Sequence, residues 1–599
     1  MILFSLILFV LFFWTVCALV LIGLGAISLT WLKLEVLPIE AFVVGLGISV
    51  ATLEIYGLFR PVDLFVVLPL FLAGSLEMAR RTAMFHLFML HIRSIGPFGM
   101  GCYLAVILSM AIRSAGPCLH YDTGLYGAST VNWLITYPIV PGLANLHGRL
   151  GFNSSLFLWT AALYKGGLGT FSYRIMGGMV VAVAAAMILA AIHRLLRGNL
   201  IPTDLFLLIL TIPLFSWIER DELVGTNTDL PSTICCLLGA YFVFQALSSV
   251  FVPHNIMRLR MVSACVLFSL AIVFKLSTFI FAASCFVICI VMLLAMSDSV
   301  VERRRSIFAS LVLFTLIIIP WISRGYILSG YPFYPNHWFG MAVDWRVSAE
   351  STKMVALGIR AWSRMRHAPI SQTFGWHWVR PWFEDVRSNR VNFAVPFLIV
   401  LSGSALLLLS SAQKRSRELR QCLWLLLPSV GAVTFWFLAA PDPRFGQAAI
   451  WGTAATLGSC GFFPLVDRSG VRLKLLVIST LCLGFWSLNP RSLWSSSYRQ
   501  VFKIREFSPF PHCETRILHT HSGLEVRVPA QGNQCWDAPL PCTPYFNNEL
   551  ELRKQGNLQS GFRAVDFPPG AEWVIGNQES REAAPAESVS ARPSELKRH

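Results

Sequence analysis

Two acidic loops and a set of cations at the ends of apolar segments carry what chemistry this sequence offers. The first acid is Asp122, in Cys118-Leu119-His120-Tyr121-Asp122-Thr123-Gly124-Leu125-Tyr126, nine residues after Arg113. A carboxylate just beyond a membrane helix can serve as a general base or hold a divalent metal. It can equally cap the turn that follows it. The second cluster is Glu219-Arg220-Asp221-Glu222 followed by Asn227-Thr228-Asp229, four acids in eleven residues, which is more than a connector needs. The cations are Lys275 in Phe274-Lys275-Leu276, Arg324 in Ser323-Arg324-Gly325, and Arg444 in Pro441-Asp442-Pro443-Arg444-Phe445. Guanidinium forks grip phosphate through two parallel hydrogen bonds, and lysine adds a point charge. Three such cations at span ends suit a lipid-linked phosphate or diphosphate; plain headgroup anchoring is the alternative. The stretch 133–153 is amphipathic and aromatic, as expected of helices lying in the interface plane. His147 and Arg149 would there meet a phosphate or sugar, or snorkel.

The elements that must position these residues follow from composition. Of 599 residues, 55% are hydrophobic and 13% charged, and the mean hydropathy is +0.62. Ordinary soluble domains carry roughly 25% charge. A soluble core of this size cannot bury so much apolar surface. A soluble enzyme, a disordered protein and a coiled coil are excluded, and an all-α polytopic membrane protein is expected. A spanning helix needs about 20 apolar residues. Fourteen segments qualify: 3–30, 39–58, 61–78, 97–113, 171–193, 200–218, 231–252, 259–274, 276–297, 306–323, 391–411, 421–440, 445–464 and 473–489. The first has no basic leading stretch and too long an apolar run for a signal peptide. The apolar stretch 154–165 is short and reads as an interfacial or re-entrant helix. No internal repeat is present.

Charge then orients the chain. Basic residues fill six short loops, at Arg80, Arg81 and Arg93; His193, Arg194 and Arg197; Arg258 and Arg260; Arg303 to Arg305; Lys414 to Arg420; and Arg468 to Lys474. With fourteen spans all six fall on one side, the cytoplasm by the positive-inside rule. Both termini then lie outside, with 114–170, 219–230, 324–390 and 490–599. The net charge of +16 is thus first a matter of orientation and of anionic lipid or phosphate. The 324–390 loop holds nine Lys+Arg, four Asp+Glu, and Trp338, Trp345, Trp362, Trp376, Trp378 and Trp382. That mixture can stack on a glycan or rest on a bilayer; its outer placement argues against nucleic acid. In the tail, Leu524-Glu525-Val526-Arg527-Val528 alternates as a strand does. Cys535 and Cys542 flank a proline-bearing turn in an oxidising compartment and suit a disulfide, whereas the pairing of Cys118 and Cys513 stays open. Residues 571–599 have the composition of a disordered tail. Walker A, zinc-protease and nucleophile-elbow patterns are missing, so an energised pump and a zinc protease lack support.

These residues resemble the GT-C superfamily of integral-membrane glycosyltransferases, which use polyprenyl-phosphate sugars. The resemblance lies in an acid in the first large outer loop, interfacial helices after it, a second acidic loop, and an arginine late in the helical body. Asp122-Thr-Gly-Leu-Tyr126, Tyr137-Pro-Ile-Val-Pro-Gly-Leu-Ala-Asn-Leu-His147, Ser329-Gly-Tyr-Pro-Phe-Tyr-Pro335, Pro441-Asp-Pro-Arg-Phe445 and Gln534-Cys-Trp-Asp-Ala-Pro-Leu-Pro-Cys-Thr-Pro-Tyr545 are similar to a group of bacterial membrane proteins of this kind. The likeness spans about residues 95–565.

It implies accessory helices over 1–94, a core over 95–323, an outer loop over 324–390, further spans over 391–489 and an outer α+β or β domain over 490–570. It implies a sugar transferred from a polyprenyl-phosphate donor to a glycan, lipid or protein acceptor in the bacterial inner membrane. Asp122 would activate the acceptor or, with Asp229, bind Mg or Mn. Asp221, Glu222 or Asp229 would supply the second acid. Arg444 would hold the lipid phosphate, with Lys275 and Arg324 as further candidates, and Tyr126, His147 and Arg149 would face substrate. Three helices precede the one that should open the common module, which is a departure from the pattern. The rival readings are a flippase for lipid-linked glycan and a non-enzymatic scaffold. A reporter fused after Lys414 should read cytoplasmic; an outer reading would overturn the topology.

Overall fold

A computed structural model describes residues 2–81, 96–219, 223–248, 252–296, 299–366, 368–409, 421–468 and 510–564, with isolated positions from 86 to 93. Helices occupy every expected span except 473–489, which lies outside the described residues. They are α1 (Ile2–Trp31), α2 (Pro38–Gly57), α3 (Leu64–Arg80), α4 (Gly96–Ser114), α5 (Ala128–Thr136), α6 (Leu156–Leu163), α7 (Met176–Leu196), α8 (Pro202–Glu219), α9 (Asp229–Leu247), α10 (His254–Phe274), α11 (Phe279–Ala295), α12 (Val300–Ser329), α13 (Ala349–Arg364), α14 (Val379–Val386), α15 (Val395–Leu409), α16 (Leu426–Ala439) and α17 (Pro443–Arg468). Eight helical segments among the described residues are long and apolar enough to cross a membrane, and three more are apolar but shorter. Lipid offers no partner to a free backbone amide, so helices are the form such segments take.

α9 and α10 lie at the centre, buried along nearly their whole length. α1 and α2 cross at backbone contact. A Cβ at Gly45 would lie 1.8 Å from the Leu21 carbonyl oxygen, and one at Gly25 1.8 Å from that of Ala41. Small residues are what let membrane helices approach so closely.

The charges sort to two ends. At one end Arg260 pairs with Glu40, Arg258 with Glu302, and Arg194 with Asp204, while Arg81 bonds Thr30. At the other end stand the loops expected to share a side. The beginning of α1 belongs to that end too, because Phe9 packs on Phe171 and the Trp14 indole donates to the Ile175 carbonyl.

Protein covers much of the stretch 133–153. It takes in the end of α5, one short turn at Leu143–Leu146 and a 3-10 turn at Gly148–Phe152, and Trp133, Leu143 and Leu146 are buried. The tail supplies the cover, with Phe562 donating its amide to the Pro141 carbonyl at 2.9 Å and its ring meeting Trp133 edge-on. The short apolar stretch 154–165, read as interfacial or re-entrant, holds α6, and all eight residues of α6 are buried, which suits the re-entrant alternative. It is packed inside the bundle, where the Trp159 indole donates to the Ser49 hydroxyl at 3.0 Å.

The tail carries β1 (Thr515–His519) antiparallel to β2 (Glu525–Pro529), and β3 (Leu550–Leu552) antiparallel to β4 (Phe562–Ala564). Cys535 and Cys542 form the expected disulfide. Cys118 and Cys513 are both free. The 571–599 tail lies outside the described residues, as do Lys414 to Arg420. Replacing Gly45 by Val should force α1 and α2 apart at a cost of about 1–3 kcal/mol or more. Thermal melting in detergent tests this, and an unchanged midpoint would show that the crossing is not tight.

Candidate functional site

The first acidic loop leaves α4 and turns at once. Residues Thr123–Gly127 form a single π-helical turn that runs into α5. Such turns are uncommon and concentrate at functional sites. Asp122 precedes the turn and its carboxylate does not cap it. It faces Arg149 instead, at 3.3 Å, and is 30% exposed. The capping alternative is thereby set aside.

Two threonines fasten this turn to the second acidic loop. The Thr226 amide donates to the Thr123 hydroxyl at 2.9 Å, and the two hydroxyls are 3.1 Å apart. Gly127 makes room, since a Cβ there would sit 1.9 Å from the Thr226 hydroxyl oxygen. Asn227 then caps the start of α9 by accepting from the Asp229 amide at 2.7 Å. The Asp229 carboxylate is left to pair with Lys275, which follows the last turn of α10. Asp221 and Glu222 lie outside the described residues.

The cations close the arrangement around three aromatic rings. The Arg149 guanidinium lies 5.9 Å from the centre of the Tyr126 ring. Lys275 stands 4.9 Å over Phe445, and Arg444 reaches that ring at 5.7 Å. Arg444 also stacks on Trp362 at 4.9 Å, as does Arg366 at 4.9 Å. Both arginines meet Asp442, each at 3.3 Å. Tyr126 is buried beside Arg149. Burial and the Asp122 charge hold its pKa above the ordinary tyrosine range, while Arg149 and Arg444 pull it down.

Asp122, Tyr126 and Arg149 thus form one group and Asp229, Lys275 and Arg444 a second, and the Thr123–Thr226 contact joins the loops that carry them. His147 and Arg324 differ, each only 2% exposed. His147 packs on Tyr545, and burial together with Arg149 holds it neutral, with its pKa lowered to about 3. Arg324 donates to the Asn153 side chain at 3.2 Å, in a buried network with Glu54 and Ser155. It supports the turn that carries Arg149 through its bond to Asn153.

Sequence reasoning missed the Thr123–Thr226 contact, Asp442 and Arg366. Two threonines in unrelated loops leave no spacing signal, but Asp442 beside Arg444 in a Pro-Asp-Pro-Arg string was a readable one. No three His, Cys, Asp or Glu side chains among the described residues form a group that could hold a metal ion. A Mg or Mn ion reaching Asp122 or Asp229 would have to displace Arg149 or Lys275.

Residues 7–451 match DUF8201, described as a domain of unknown function. The chain belongs to the DUF8201 family. No curated protein and no solved structure matches it. The DUF8201 match takes in every site residue named above, from Asp122 to Arg444, and stops short of the strands of the tail.

Gly127→Val should drive the two acidic loops apart, and Thr123→Val should cost about 1–3 kcal/mol by stranding the buried Thr226 amide. Cross-linking between cysteines placed at 122 and 228 measures the separation. Equal yields in the glycine variant and in the parent would show that the loops do not depend on this contact.

Proposed function

We propose that this protein is a GT-C-like membrane glycosyltransferase that moves a sugar from a polyprenyl-phosphate donor to a glycan, lipid or protein acceptor. The observation that carries this reading is the joining of two acids and several cations at one end of an apolar helical bundle. A polyprenyl phosphate is held in the leaflet by its chain, so its anomeric carbon sits near that end. The acceptor hydroxyl attacks this carbon and forms the new C–O bond as the C–O bond to phosphate breaks. Its proton passes to the Asp122 carboxylate, which Arg149 holds in place from 3.3 Å. The departing phosphate gathers charge that Arg444, Arg366 and Lys275 are placed to stabilise. Asp229 holds Lys275 in position, and the faces of Trp362 and Phe445 border the same space.

The proposal includes fourteen spans, the bacterial inner membrane, and both termini outside. The charge pattern supports it, because among the described residues the basic short loops at Arg81, Arg194, Arg258 and Arg260 gather at one end and the site at the other. The rival reading, a flippase for lipid-linked glycan, draws on the fully buried Glu54 and its neighbour Arg324. Ionisable groups inside a membrane bundle often mark a transport path.

Purified protein in lipid nanodiscs, given polyprenyl-phosphate sugars and envelope acceptors, should release polyprenyl phosphate. Asp122→Asn and Arg444→Ala should each slow that release by about 100-fold or more. Wild-type release from both variants would remove the role assignment, and translocation of labelled donor without release would favour the flippase.

A further inference from the structure

The tail domain meets the Asp122 turn on both sides of the acid. Upstream, the Gln534 amide donates to the Tyr121 carbonyl at 2.9 Å, and Asn533 donates to the Tyr121 hydroxyl. Downstream, the Trp536 backbone amide donates to the Gly124 carbonyl at 2.9 Å. The π turn closes on itself through the i+5 bond from the Ala128 amide to the Thr123 carbonyl, and the tail adds donors from outside the turn. The approach is as close as the residues allow. A Cβ at Gly124 would lie 2.6 Å from the Trp536 ring and 2.8 Å from the Gln534 amide.

The donors are themselves held. The Cys535–Cys542 bond closes a short loop across a separation of seven residues, and both cysteines are only 1% exposed. The Trp536 ring packs on Phe510, which in turn packs edge-on against Tyr173. The Tyr173 carbonyl accepts from the Gly225 amide at 2.8 Å, next to Thr226 of the second acidic loop. The same tail loop therefore touches the first acidic loop directly and reaches the second through Phe510 and Tyr173.

We propose that Gln534 and Trp536, on the disulfide-closed loop of the tail domain, are positioning residues that fix the Asp122 turn from above. Neither side chain touches Asp122 itself. Their effect is to hold the residues before and after it, so that its carboxylate keeps its bearing on Arg149. The catalytic value of this rests on the transferase reading, whereas the ordering of the turn does not.

The test is hydrogen exchange of amides 121–127 in the full-length protein in lipid nanodiscs, read by mass spectrometry. Gln534→Ala should speed their exchange at least tenfold and leave α7 unchanged. The paired Cys535→Ser and Cys542→Ser substitution should do the same, and Trp536→Phe should behave as the parent. Should the cysteine variant fail to fold, Gln534→Ala decides alone. Exchange that stays at parent rates in Gln534→Ala overturns the proposal. In transfer assays the same variant should lose kcat with the donor KM unchanged. Faster exchange in a protein whose parent transfers no sugar would uphold the positioning role and sink the transferase reading.

Discussion

The hydrogen bond from the Thr226 amide to the Thr123 hydroxyl joins two segments 103 residues apart in the chain. Each segment follows a different membrane helix, and each carries an acid. The bond ties the loop after α4 directly to the loop after α8, beside the bond from the Gly225 amide to the Tyr173 carbonyl. With it, Asp122 and Asp229 are set in one frame, and their cations follow. Arg149 is brought by the turn that Asn153 anchors, Lys275 by the end of α10, and Arg444 by the start of α17. A buried hydroxyl that is fully partnered costs little, and a stranded amide costs much. That asymmetry is what makes so small a contact decisive.

The electrostatics of the two ends differ in kind. At the end away from the site, arginines meet acids in pairs that clip neighbouring helices, as in Arg260 with Glu40 and Arg258 with Glu302. At the site end the pairs are partly exposed and set against aromatic faces. Lysine and arginine over a ring keep their charge while losing some of their water. Between the two ends, Glu54 and Arg324 form a fully buried charge cluster bound to Ser155 and Asn153. Burial of such a pair contributes little stability by itself, so its weight is in fixing the 148–153 turn.

Much of the fold was legible because hydropathy and charge act at the level of whole segments. Runs of apolar residues can only become helices in lipid, and basic loops sort to one end, so thirteen of the fourteen expected spans coincide with described helices. What hydropathy cannot convey is which apolar surface will be covered by protein. Residues 133–153 have an amphipathic pattern, yet the tail covers part of them, and hydropathy left α6 open between an interfacial and a re-entrant place where the structure has it interior. The site was legible in its charged members for a similar reason, since each stands beside a span end. It was not legible in its fastening, which depends on threonine hydroxyls, glycine clearances and a glutamine. His147 and Arg324 have the right chemistry by type, and burial turned both into supports. A sequence shows that a side chain can bind; it does not show whether water or ligand can reach it.

The contact between Gly124 and Trp536 also has a meaning in time. A chain made from its amino end delivers the Asp122 turn early and the loop that braces it more than four hundred residues later. During that interval the bundle can be assembled while its face is unfinished. The brace further requires that the tail reach the same side of the membrane as the turn, and that Cys535 and Cys542 be oxidised there. A copy that ends before this loop, or whose tail is misrouted, lacks the contacts that Gln534 and Trp536 make to the turn.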